Sequence, residues 1–121
     1  AAKLLNNLVT QGTTILLADA FQTATAIGVD RNALFDVMMT GAARSGTLEK
    51  AVEPSLRGKY DGARFTIENA AKDLRYARDL LSRVAASREP LAGVLVDRLD
   101  DLVAHGQGAE FVSTMLVPEA R

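Results

Sequence analysis

The sequence predicts an all-α domain, a multi-helix arrangement around one long N-terminal helix. Three observations carry that expectation. Alanine and leucine dominate a chain with three prolines and no tryptophan, a composition that favours helix. Apolar residues recur at three- and four-residue spacing over several stretches, and no two-residue alternation competes. Glycine, proline and capping residues punctuate those stretches where helices stop and start. With 121 residues, no internal repeat and no linker, one domain spanning 1–121 is expected, large enough to bury a core.

The first helix is expected over 3–27. Lys3, Asn7, Gln11 and Thr14 form a polar stripe, while Leu4, Leu5, Leu8, Val9, Ile15, Leu16, Leu17 and Phe21 cover the remaining circumference. A helix apolar on several sides is normally buried, and this one would be about 37 Å long at about 1.5 Å per residue. Gly12, Ala18, Ala20, Ala24 and Ala26 would let neighbouring helices approach closely. Gly28 suits a left-handed C-terminal stop. Asp30 is a good N-cap for a second helix over 31–40, with Gly41 as its stop and Ala33, Leu34, Val37 and Met38 facing inward. A third, shorter helix begins near Ser45 or Gly46 and ends before Pro54. The stretch "SLRGKYDGAR" over 55–64 reads as a charged surface loop. Phe65 and Thr66 lead into a fourth helix over 66–87, with Ile67, Ala70, Ala71, Leu74, Ala77, Leu80, Leu81 and Val84 at helical period. Pro90 starts a fifth helix to Ala104, with Leu91, Val94, Leu95, Leu99, Leu102 and Val103 inward. "HGQG" breaks it, and a last short helix runs over 110–116.

Composition excludes several function classes. An apolar fraction of 48% excludes a disordered chain. Without cysteine there are no disulfides and no thiolate metal site, which suits a cytoplasmic setting. The single histidine, His105, cannot build a zinc cluster alone, so no metal site is expected. A net charge of -1 supplies no basic field for nucleic acid, and Arg75, Arg78, Arg83, Arg88 and Arg98 alternate with acids. No apolar run reaches the roughly 18 residues that would span a bilayer.

Two clusters carry candidate chemistry. Lys3 and Asn7 are four residues apart, so an ammonium and an amide point into the same space about one turn apart. Such a pair suits a carbonyl substrate: the ammonium donates a proton to oxygen while the amide holds the molecule by hydrogen bonds. Lysine–asparagine pairs are also common on solvated helix starts, and spacing alone leaves both readings open. In "FTIENAAKDLRYA", Lys72 and Asp73 interrupt an apolar pattern; Lys72 falls at the border of the buried face, or both charges are simply exposed. His105 beside Gly106 reads as a helix C-terminal cap, where a histidine meets the helix dipole favourably. "GQG" is no phosphate loop, because no strand precedes it. Met38 and Met39 read as core, and "GAARSG" as an ordinary turn around Arg44 and Ser45.

Taken in order, these pieces resemble a known family. "KLLNN" opens a long helix, "G-x-D" follows it, and then come "TGAARSGTLE", a phenylalanine eight residues before the aspartate of "KDLRYA", a proline-started helix and a final "G-x-G". The pattern resembles the C-terminal helical domain of the β-hydroxyacid dehydrogenases, a family that includes 3-hydroxyisobutyrate, tartronate semialdehyde and glyoxylate reductases, with 6-phosphogluconate dehydrogenase more distant. The resemblance covers essentially the whole chain.

It implies a domain like the C-terminal domain of 6-phosphogluconate dehydrogenase, with Lys3 as the catalytic lysine and Asn7 as a substrate-binding residue. It implies that Lys72 lies near a nicotinamide cofactor, NAD or NADP, and that Phe65 and Asp73 line or support the substrate site. The cofactor would be held mainly by an N-terminal Rossmann domain absent from this chain, so the helical part alone would be inactive. The implied partners are a small hydroxyacid, that Rossmann domain and a second copy of the chain. Members usually carry an aspartate soon after the last "G-x-G", where this chain offers Glu110 and Phe111. A helical dimerisation or partner-binding module is the alternative without catalysis. Related imine reductases commonly place another residue at the lysine position, so Lys3 favours the dehydrogenases over them.

Overall fold

The structure, a computed structural model, describes residues 1–119; the last two residues of the expected domain lie outside the described residues. Helix α1 spans Ala2–Ile27 and α2 spans Arg31–Met39; a π-helical turn at Leu48–Val52 runs into the short α3, Glu53–Ser55. Helix α4 spans Ile67–Val84 and α5 spans Glu89–Ala104, with 3-10 turns at Ala86–Arg88 and Val112–Leu116. No β-strand occurs among the described residues, so the fold is all-α as the sequence predicts. None of these helices is long and apolar enough to cross a membrane. The chain divides into two compact units. One comprises Ala1–Gly12 with Phe65–Glu110; the other comprises Thr13–Arg64 with the C-terminal segment from Phe111.

The first unit is built from the opening turns of α1, α4 and α5. Ile67, Ala70, Ala71, Leu74 and Ala77 form the buried stripe of α4, the register expected for those positions. The stripe stops there: Leu80 and Leu81 are half-buried and Val84 is exposed. The helix also ends earlier than expected, because Ala85 leaves helical geometry at φ -154 and ψ 60. Thr66 caps α4 by accepting from the Asn69 amide at 3.3 Å. The Ile67 and Glu68 amides donate to the carbonyls of Glu110 and Gly108, each at 2.9 Å. The end of "GQG" and the residues just after it, from Gly108 to Glu110, thus satisfy amides that the first turn of a helix leaves without partners.

Helix α5 is rotated from its expected register. Ala92, Val96 and Leu99 are buried, whereas Leu91, Val94 and Val103 are exposed. Apolar residues occupy so much of this helix that their pattern defines no single inward face. The smallest, Ala92, belongs to the buried stripe, where a close neighbour costs least. A similar fit joins α1 to α5: a Cβ added at Gly12 would lie 3.2 Å from Leu95 Cδ1. Arg75 and Asp100 pair across α4 and α5 at 3.1 Å. His105 is the C-cap of α5, and its ring Nδ1 lies 2.7 Å from the Asp101 carbonyl oxygen.

In the second unit, Leu17, Ala18 and Phe21 of α1 form a core with Leu48, Ala51, Val52 and Leu116. Phe21 is fully buried, worth about 3 kcal/mol relative to exposure. Gly28 takes the left-handed conformation at φ 80 that ends α1. Asp30 then caps α2 by accepting from the Ala33 amide at 3.1 Å. Leu34, Phe35, Met38 and Met39 pack against the core, whereas Ala33 and Val37, expected inside, are exposed. A nine-residue helix makes two and a half turns, and the inner arc follows its larger side chains. Gly41 does not adopt a left-handed conformation; Thr40 caps the helix instead.

Pro54 does not end the third helix as expected; the chain passes through it to Ser55. Proline has no N–H to offer the carbonyl of Lys50, four residues earlier, and the backbone of Gly62 closes over that carbonyl instead. The loop containing Gly62 is anchored by Ser113, which is fully buried. Ser113 Oγ donates to the Tyr60 carbonyl at 2.7 Å and accepts from the Ala63 amide at 3.4 Å. Arg31 holds the C-terminal segment: its guanidinium donates to the Leu116 carbonyl and to Thr25 Oγ1, both at 2.6 Å, and to Gln22 Oε1 at 3.1 Å. Burial pulls the Arg31 pKa below its ordinary value, opposed by Tyr60.

Candidate functional site

The five residues that the resemblance singles out all belong to the first unit. Lys3 and Asn7 lie on the opening turns of α1, Lys72 and Asp73 in the middle of α4, and Phe65 directly before the Thr66 cap. The structure brings two of them into direct contact. Asn7 Nδ2 donates to Asp73 Oδ2 at 3.0 Å, and both side chains are half-buried. The two residues are 66 positions apart in the chain, so this contact depends on the packing of α1 against α4.

Lys3 is exposed, and its ammonium has no hydrogen-bond or ion-pair partner among the described residues. Lys72 is exposed on α4 rather than at the margin of the buried face, and it too is unpartnered among the described residues. Phe65 is half-buried.

The polar stripe of α1 turns inward along its length. Gln11 is only 6% exposed and Thr14 is 4%, whereas Val9 is 65% exposed and Leu16 is 69%. Helix α1 is therefore not apolar on all its buried sides, as its leucines suggested. Gln11 Oε1, one turn beyond Asn7, is buried without a partner. Its polar spacing from Lys3 and Asn7 was visible in the sequence, but its burial was not.

Chemically, the arrangement offers a free ammonium and a half-buried amide on successive turns of one helix. The amide is held by a carboxylate, leaving its Oδ1 and second N–H unengaged among the described residues. A proton donor beside a neutral hydrogen-bonding group suits a small molecule whose oxygen gains and loses a proton.

Residues 1–119 match the family model described as NAD-binding of NADP-dependent 3-hydroxyisobutyrate dehydrogenase. The chain belongs to this family. It is an oxidoreductase family that uses NAD(P). The helical C-terminal domain of 3-hydroxyisobutyrate dehydrogenase (ygbJ) from Salmonella typhimurium, a crystal structure, has the same fold, with a TM-score of 0.81 and 23% sequence identity. The similarity covers 95% of this chain and 40% of that dehydrogenase chain. The chain thus spans about 40% of the length of this solved member of the fold. No curated protein is significantly similar to it.

Proposed function

We propose that this chain is the substrate-binding and catalytic-lysine domain of an NAD(P)-dependent β-hydroxyacid dehydrogenase. The reaction is the reversible oxidation of a small 3-hydroxyacid to its semialdehyde or ketoacid. The family match over residues 1–119 carries this reading. The unpaired ammonium of Lys3, one helical turn from the half-buried Asn7 amide, supports it from the side of the chemistry.

The residues fit a cofactor held mostly elsewhere. Among the described residues there is no strand leading into a glycine-rich turn to cradle a pyrophosphate, while Lys72 offers a free ammonium to one oxygen of a bound dinucleotide. When bound, the nicotinamide supplies or accepts hydride at the substrate carbon. Lys3 Nζ gives a proton to the substrate oxygen in reduction and takes it back in oxidation. Asn7 orients the substrate by neutral hydrogen bonds, and Phe65 presents an apolar wall. A preceding Rossmann domain completes the site, so residues 1–121 alone have no turnover. The setting is cytoplasmic.

A second reading is association. Leu16, Ile27, Val29 and Leu34 line an open, largely apolar groove of about 430 Å³ in the second unit, and Leu16 and Ile27 are 69% and 70% exposed. A second copy of the chain would cover such a surface, and this is compatible with catalysis.

The deciding experiment is a turnover assay of the intact protein with small β-hydroxyacids and either cofactor, following reduced nicotinamide by absorbance. Oxidation of at least one such acid is expected. No turnover with any of them in either direction, alongside saturable binding of an unrelated partner, would replace the enzymatic reading with the association reading.

A further inference from the structure

The geometry points to Asp73 as a positioning residue that sets the orientation of the Asn7 amide, rather than as a group that itself touches substrate. This inference rests on the function proposed above. An ionised carboxylate can only accept hydrogen bonds, and an asparagine amide offers N–H donors on one side and a carbonyl acceptor on the other. Only one of the two amide orientations therefore places a donor against Asp73. That is the orientation found, with Asn7 Nδ2 3.0 Å from Asp73 Oδ2. Turned through 180°, the amide would set its own oxygen against the carboxylate, two acceptors without a proton between them.

The partially buried setting of the pair strengthens this preference, because less water competes for either group. Asn7 Oδ1 is consequently committed to the side away from Asp73 and is free to accept. The one proton of the substrate hydroxyl is committed to Lys3 Nζ, so Oδ1 is left for a donor other than that hydroxyl. The second amide N–H remains available to a carboxylate or carbonyl oxygen of the same molecule. Asp73 thus fixes, through Asn7, the amide N–H that faces such an oxygen.

The test is a double-mutant cycle in the intact protein. Asp73→Ala is expected to lower kcat/KM for the hydroxyacid about 10- to 100-fold, the scale of losing the orientation of a substrate-holding group. Asn7→Ala should cause a comparable loss. In the Asn7→Ala background, Asp73→Ala should add less than about twofold, because interacting residues are not additive. Asp73→Asn keeps an acceptor and should recover much of the Asp73→Ala loss. Multiplying losses in the double variant would show that Asp73 acts without Asn7 and overturn the inference. A lowered melting temperature with unchanged kcat/KM would overturn it too, by making Asp73 merely structural.

A readout independent of turnover separates this inference from the functional reading. With asparagine labelled with ¹⁵N in the intact protein, the Asn7 side-chain NH₂ should show a downfield shift of its hydrogen-bonded proton and slowed exchange of that proton with water. Both should be lost in Asp73→Ala and retained in Asp73→Asn. An Asn7 NH₂ signal unaffected by Asp73→Ala refutes the positioning whatever the activity. If the signal responds as expected but the unsubstituted protein has no turnover, the pairing stands and the dehydrogenase reading fails, taking the catalytic part of this inference with it.

Discussion

Replacing Gly62 by alanine places a methyl group where the backbone leaves no space. A Cβ there would lie 2.0 Å from the Lys50 carbonyl oxygen, 3.2 Å from the Lys50 carbonyl carbon and 3.1 Å from Pro54 Cγ. A relaxed carbon–oxygen contact needs roughly 3.3–3.5 Å, so the chain must open by more than about 1 Å. The obstructing atom is backbone, in a turn whose Leu48 and Val52 are fully buried, and no side-chain rotation relieves it. Overpacking of this kind costs about 1–3 kcal/mol, and a backbone clash falls at the upper end. The lower entropy of an unfolded chain with alanine returns at most about 1 kcal/mol where alanine fits without strain, and here it does not. A net loss of about 2–3 kcal/mol follows, or roughly 10 °C in melting temperature for a chain of this size. Urea unfolding and thermal denaturation by circular dichroism measure both quantities. An unchanged or raised midpoint for Gly62→Ala would refute the close approach of Gly62 to Lys50.

Two further substitutions test how the polar groups are partnered. Gln11→Met removes a buried acceptor that has no partner and replaces it with an apolar side chain of similar length. Because an unsatisfied buried polar group costs about 1–3 kcal/mol, the variant should be at least as stable as the parent and up to about 1 kcal/mol more stable; a loss of more than 1 kcal/mol in urea would show that Gln11 is satisfied in solution. Arg31→Ala removes the charged donor to the Leu116 carbonyl. It should cost about 2 kcal/mol, typical of a hydrogen bond to a charged group, and speed amide hydrogen exchange over 112–117. Unchanged exchange there would show that the C-terminal segment is held without Arg31, by the buried Val112 and Leu116 and the hydrogen bonds of Ser113 and Gln22.

Local signals were legible in the sequence. Gly28, the Asp30 cap and the apolar stripe from Ile67 to Ala77 are each written in a few neighbouring residues, and each is found as expected. Inward faces were harder to read wherever apolar residues were plentiful. On α5 the large side chains of Leu91 and Val94 pointed the wrong way, because Ala92 and Val96 form the packed stripe. On α1 the abundance of leucine concealed that Gln11 and Thr14 turn inward.

The candidate site was legible only as a list of residues with matching spacing. Lys3 and Asn7 share a helix, so their proximity follows from a four-residue interval. The link from Asn7 to Asp73 does not, since it joins helices 66 positions apart and is made by tertiary packing. The Gly108 and Glu110 carbonyls likewise meet the start of α4 only after folding. No local pattern could have assigned that role to "GQG".

The central claim is that Lys3 carries the proton in a dehydrogenase. The most direct measurement is kcat of the Lys3→Met intact protein, with cofactor affinity determined on the same sample. Methionine keeps most of the side-chain length and removes the ammonium. The account predicts a fall in kcat of about 10²- to 10⁴-fold, the range for loss of a general acid–base group, with cofactor affinity unchanged. Turnover within a few-fold of the parent at equal cofactor saturation would contradict it.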